Sequence, residues 1–191
     1  MIALIACAFA LGLLGSVIAR GRLAGLANLH LRWAWVLLLA LLVSLIPLFW
    51  SAISGTGAAR ALLLASNVGV IAFLAVNVAR ARGGVRAGLL IAAIGWLLNF
   101  VVIAINAGMP LSRWAWEHSG QSGPIEAGKG GFFKVVEAHP GTTFRFLGDV
   151  IPLRVVTQVL SIGDILLLAG IVVVIAAAMR QHAREPVPAG A

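Results

Sequence analysis

Acidic side chains are scarce in this chain. Six Asp and Glu stand against fourteen Lys and Arg, and charged residues make up only 10% of 191 positions while hydrophobic ones make up 61%. So little polar material cannot cover a water-soluble fold, and a mean hydropathy of +1.05 places the chain in a bilayer. Cysteine occurs once, at Cys7, which excludes an internal disulfide, a CxxC redox pair and a thiolate metal cluster. The histidines at 30, 118, 139 and 182 never stand four apart, so no helical metal site is expected. Walker, GxSxG, HExxH and dinucleotide-binding motifs are missing, so neither a catalytic residue nor a cofactor is assigned. No Pro-rich or charged linker divides the chain, which leaves a single membrane domain over 1–191. A net charge of +8 would suit nucleic acid, but the arginines sit at the ends of apolar runs, so nucleic acid is excluded as a partner.

What is present is a series of apolar runs. Residues 1–19 reach about 28 Å as a helix, close to the roughly 30 Å hydrocarbon core, with Ala8, Gly12 and Ser16 as a small-residue packing stripe. Leu4-Ile5-Ala6-Cys7 looks like a lipoprotein cleavage box, but no basic region precedes it, so this helix is expected to stay attached. Residues 20–32 carry leucines at 23, 26 and 29 along one edge and are expected to lie on the membrane surface. Further helices are predicted over about 33–51, 61–79, 87–105 and 162–179. The fold class is therefore all-α and polytopic, with five transmembrane helices and a long insert, 106–161, between helices four and five. A tail, 180–191, closes the chain.

Polar residues inside the apolar runs are the candidates for function. In the third helix Ser66, Gly69, Phe73 and Asn77 share a stripe that should face other helices. In the fourth, Gly88, Ala92, Gly95 and Asn99 share a face that Asn106 continues, and an amide in hydrocarbon needs a partner, so both asparagines should point inward. Trp96, near mid-membrane, needs an internal acceptor for its indole N–H. Asp164 likewise calls for a partner, and Arg113, Arg145 and Arg154 are the cations on its side. Ser161-x-x-Asp164 also has the spacing of a helix capping box.

Within the insert, Pro110 is read as starting a short helix, and Arg113, Trp114 and Trp116 suit the headgroup layer. The glycine-rich stretch 119–131 reads as a loop, and 132–139 as two turns of surface helix. Residues 150–161 read as an amphipathic or partly re-entrant helix, with a strand left open by their many β-branched residues. Gly148-Asp149 and Gly163-Asp164 sit in similar surroundings, and each is expected to open a helix; two such starts side by side would suit an anion or a lipid headgroup. His139, Glu137 and His118 fall in the same external region, and each is a candidate proton donor or acceptor. The candidate ligand site is thus Asn99, Asn106, Asp149, Asp164, Arg145 and His139.

With the first residue outside, three short cytoplasmic segments collect eight arginines, at 20, 22, 32, 80, 82, 86, 180 and 184. The N-terminus is therefore predicted outside, the C-terminus inside and the insert outside the cytoplasm.

Gly21-Arg22-Leu23, Leu29-His30-Leu31-Arg32-Trp33, Asn99, Asn106-Ala107-Gly108-Met109-Pro110, Leu147-Gly148-Asp149-Val150-Ile151-Pro152 and Ser161-Ile162-Gly163-Asp164 together resemble a bacterial family of small multi-pass membrane proteins of unknown function. The resemblance implies a bacterial cytoplasmic-membrane protein and brings no substrate, cofactor or catalytic residue. The expected role is a non-enzymatic accessory or binding protein with a polar site at its extracytoplasmic face. A small-solute transporter acting as an oligomer and an outer-face enzyme on a lipid-linked substrate are the alternatives. Membrane lipids, a partner membrane protein or further copies of the chain are the expected partners.

Overall fold

The computed structural model describes residues 24–27, 29–49, 57–125 and 135–183. The expected first helix, the turn at 51–56, part of the glycine-rich loop and the end of the tail lie outside those residues.

The described chain is mostly helical. After a short helix α1 (Ala24–Ala27) come α2 (Ala34–Phe49), α3 (Gly57–Arg80), α4 (Gly83–Asn106), the six-residue α5 (Arg113–His118) and α6 (Ile162–Ala183). Among the described residues three helices are long and apolar enough to cross a bilayer: Arg60–Arg80, Gly83–Asn106 and Ile162–Arg180, of 21, 24 and 19 residues. The described part of α2 has 16 residues, about 24 Å, short of a full span.

Successive helices run antiparallel. The Gly69 backbone lies under Ala40 and Val36 of α2, and the Arg60 guanidinium donates to the Ala104 carbonyl of α4 at 3.2 Å. The tightest pairing is α4 against α6. A Cβ added at Gly88 would sit 2.7 Å from the Val174 backbone nitrogen, one at Gly170 would sit 2.6 Å from the Gly88 carbonyl, and one at Gly95 would strike the Gly163 carbonyl. In lipid, apolar side chains gain nothing from leaving water, so helices associate where small residues let backbones touch. On α6 those residues are Gly163, Gly170 and Ala177, seven apart, a spacing that keeps them on one face toward the partner. Val85, Leu89, Ala92, Val174 and Ala178 continue this seam into a core shared with Val70, Phe73 and Leu74 of α3 and Ala40 of α2. Trp96 packs on the same core.

The region 24–32 departs from the expected surface helix. Gly25 is pressed onto the Ala178 carbonyl of α6, and Leu26, Leu29 and Leu31 pack on the bundle core. Of the expected leucine edge, Leu26 and Leu29 face protein, because Gly25 beside them allows contact with a helix backbone, while Leu23 lies outside the described residues. Asn77 secures the end of this segment: its Oδ1 accepts from the Arg32 N–H at 2.8 Å and its Nδ2 donates to the Arg32 carbonyl at 2.9 Å. With Gly84 beneath Ala177, these contacts gather Arg32, Arg80, Arg82, Arg86 and Arg180 at one end of the bundle.

The insert lies at the other end and is not helical in the way expected. Alanine at 107 adopts the left-handed conformation (φ 57°), its N–H returning to the Ile103 carbonyl, and this ends α4. The chain then enters β1 (Met109–Leu111), so the short helix begins at Arg113, capped by Ser112, and not at Pro110. β2 (Val135–Glu137) pairs in parallel with β1, Pro110 opposite Val136, which replaces the helix expected there. Residues 150–161 form a hairpin of β3 (Ile151–Leu153) and β4 (Gln158–Leu160) around a tight turn at Arg154–Val156, with Thr157 at φ 51°. The helical face of Arg154, Thr157, Gln158 and Ser161 was a coincidence of spacing; Val150, Ile151, Val159 and Pro152 favour extended backbone. The architecture is thus not purely α. Met109, Val102 and Ile103, with Leu147 against them, weld the insert to the end of α4.

Overpacking the α4–α6 seam should therefore be costly. Gly170→Val is expected to destabilise the protein by about 1–3 kcal/mol, whereas Gly57→Ala, where an added Cβ meets nothing within 4 Å, should be neutral or slightly stabilising. Thermal unfolding of both variants in one mild detergent checks the contrast.

Candidate functional site

Asn99, Ser161 and Asp164 meet where α4 and α6 touch near the insert, and each is almost wholly buried. Ser161 caps α6: its Oγ accepts from the Asp164 N–H at 2.9 Å, and Asp164 Oδ2 accepts from the Ser161 N–H at 3.1 Å. This reciprocal pair satisfies two otherwise orphaned donors and sets a negative group at the positive end of the helix. Asn99 closes the arrangement from the other helix. Its Nδ2 donates to Asp164 Oδ1 at 2.8 Å, and its Oδ1 accepts from the Ser161 hydroxyl at 2.9 Å. Four bonds thus form a closed ring.

The ring fits only because Gly163 has no side chain, since a Cβ there would overlap Asn99 Oδ1. In Ser161-Ile162-Gly163-Asp164, then, serine caps, glycine clears space and aspartate completes the box. The cations expected beside Asp164 are elsewhere. Arg113 pairs with Glu117 at 3.3 Å and Glu137 at 3.9 Å on the exposed surface of the insert, where such contacts are worth little. The Asn99 amide and the Ser161 N–H partner Asp164 instead.

Asp149 does not open a helix. It is extended and bridges to Leu111 in parallel, its N–H donating to the Pro110 carbonyl at 2.7 Å and its carbonyl accepting from Ser112 at 2.9 Å. Gly148 allows this because its backbone is pressed against the Pro110 carbonyl. Met109-Pro110-Leu111, fully buried, is therefore the centre of the insert, with β2 on one side and Gly148-Asp149 on the other. The expected pair of adjacent helix starts is absent. The Asp149 carboxyl is held well above the ordinary carboxylate range, first by burial and then by repulsion from Asp164.

Asn106 serves a different contact. Its Nδ2 donates to the Thr143 carbonyl at 2.9 Å and its Oδ1 accepts from the Thr143 N–H at 3.1 Å. This repeats the grip of Asn77 on Arg32: an amide near a helix end holds both backbone groups of one distant residue. His139 is exposed and shapes a turn, Nδ1 accepting from the Gly141 N–H at 3.2 Å. Arg145 is exposed on the next turn and makes no ion pair with a described residue.

Of the six candidates, Asn99 and Asp164 bond directly and Asp149 senses Asp164, while Asn106, His139 and Arg145 stand apart from them. Among the described residues no three His, Cys, Asp or Glu converge as metal ligands. Sequence reading passed over Asn67, 1% exposed, whose Nδ2 donates to the Leu63 carbonyl at 2.7 Å and whose Oδ1 has no hydrogen-bond partner among the described residues. The signal was an amide inside an apolar helix.

A carboxyl whose pKa is raised on folding contributes stability that is complete below its unfolded pKa and is lost as pH rises through the folded one. The insert is therefore expected to loosen as pH rises through the titration of Asp149. Asp149→Asn should flatten that dependence and hold the insert more firmly at neutral pH, as read by hydrogen exchange of the Met109 and Leu111 amides relative to their intrinsic rates at each pH.

A sequence family described as a family of unknown function, DUF5317, matches residues 28–176. No curated protein and no solved structure matches the chain.

Proposed function

The chain belongs to the DUF5317 family, and for it we propose a non-enzymatic accessory or binding role in a bacterial cytoplasmic membrane, exercised through the insert. The observation that carries this reading is the closed ring of Asn99, Ser161 and Asp164. Its four hydrogen bonds close on one another, so the cluster acts as a lock that holds α4, α6 and the insert together. What the insert then offers to a partner is its surface, including the hairpin turn, where Val155 is 98% exposed beside Arg154.

The proposed topology has five spans, with 1–19 as the first, the N-terminus outside and the C-terminus in the cytoplasm. The gathering of Arg32, Arg80, Arg82, Arg86 and Arg180 at the end opposite the insert supports it, since positive residues favour the cytoplasmic side. Asp149 and Asp164, acids close enough to repel, favour a second reading: proton-linked movement of a small solute by an oligomer. Loss of flux in proteoliposomes on Asp149→Asn would support it.

For the accessory reading, the full chain purified in mild detergent is expected to show a stoichiometric partner or a defined oligomer by native mass spectrometry. Val155→Asp should weaken that association at least tenfold while leaving thermal unfolding unchanged. Repeated isolation of a bare monomer counts against the reading. Labelling of Val155→Cys by an impermeant reagent in intact cells tests the orientation separately.

A further inference from the structure

Phe144, Arg145 and Phe146 form an exposed turn whose place is set by the end of a membrane span. Asn106, the last residue of α4, holds both backbone groups of Thr143, and Leu147 turns inward onto Val102, Ile103 and Met109. The turn between these two anchors therefore lies at the level where α4 leaves the hydrocarbon. There Phe146 is 63% exposed and Phe144 45%, their rings meeting edge to face at 6.4 Å. Phe144 takes up the left-handed conformation to do so. In water, two such rings would sooner be buried. Ile105, beside Asn106 in sequence, is exposed as are Leu90, Ile94 and Leu97 along one side of α4, the side that meets lipid if α4 spans. Between the rings Arg145 is exposed and makes no ion pair with a described residue, while Glu117 and Glu137 are engaged by Arg113.

We propose that Phe144-Arg145-Phe146 is a headgroup anchor: both rings enter the interfacial layer of the leaflet on the insert's side, and the Arg145 guanidinium takes the phosphate of an anionic phospholipid. The fastening of the turn to the end of a helix of spanning length, whose exposed side is apolar, selects lipid as the occupant. The planar guanidinium matches a phosphate by paired charge-assisted hydrogen bonds, and aromatic residues at the span boundary fix its depth. The anchor requires only that α4 crosses the bilayer, and holds whichever side the insert occupies and whatever partner it has.

The test uses the full chain, reconstituted in phosphatidylcholine vesicles with and without phosphatidylglycerol. A fluorophore on Phe146→Cys, in a Cys7→Ser background, is expected to be quenched by nitroxide placed shallowly in the acyl chains and little affected by aqueous iodide. Quenching by iodide alone would overturn the proposal, because the turn would then stand in water. In native mass spectrometry the unlabelled chain should retain phosphatidylglycerol over phosphatidylcholine. Arg145→Gln should reduce that preference about fivefold, the effect of one basic residue at an anionic surface, and Arg145→Lys should recover most of the charge effect. Unchanged retention in Arg145→Gln, with thermal unfolding showing an intact fold, would equally overturn it.

Discussion

The hydrogen bond from Asn99 Nδ2 to Asp164 Oδ1 ties α4 to α6 at the insert's end of the bundle. An amide or a carboxylate left alone beside hydrocarbon would cost several kcal/mol, and here each satisfies the other while Ser161 completes the circuit. The bond can form only at backbone-contact distance between α4 and α6, and glycines 88, 95, 163 and 170 supply that distance. Small residues and polar residues are thus two parts of one device. The glycines bring the helices together without a gap, and the ring fixes their register, since sliding either helix by a turn would strand four hydrogen-bonding groups.

The same economy governs both ends of the bundle. Asn77 binds the backbone of Arg32 at one end, and Asn106 binds that of Thr143 at the other. A side-chain amide carries a carbonyl and two N–H groups, so it can hold both backbone groups of a distant residue while Nδ2 also donates to its own helix, to Phe73 from Asn77 and to Val102 from Asn106. Through Asn106, Leu147 and the buried Met109-Pro110-Leu111 strand, the insert is attached to α4 as a packed cap. That attachment places the Phe144–Phe146 turn at the rim of the span, and puts Asp149 close enough to Asp164 for their charges to interact. Burial and the Asp164 charge hold the Asp149 carboxyl above its ordinary range, beside a ring whose four hydrogen bonds close on one another.

The apolar runs, the inward stripe of Gly88, Ala92, Gly95 and Asn99, and the capping spacing of Ser161 and Asp164 were all legible in the residues, because helix periodicity and capping are local properties. The three long spans and the family follow from those signals. Elsewhere local signals misled. Residues 150–161 carry a helical polar face and β-branched side chains at once, and pairing between β3 and β4 decided for the strand. Gly148-Asp149 resembles Gly163-Asp164 in sequence, yet one is pressed against Pro110 as extended chain and the other follows a capping serine.

By itself, the sequence determined that this is a membrane protein, where its three long apolar helices run and which face of α4 turns inward, since hydropathy and periodicity are read along the chain. Only the tertiary structure decided which inward groups meet. Asn99 finds Asp164 and Asn106 finds Thr143 across separations of 65 and 37 residues. Such pairings depend on how closely two backbones approach, a distance that no local pattern encodes.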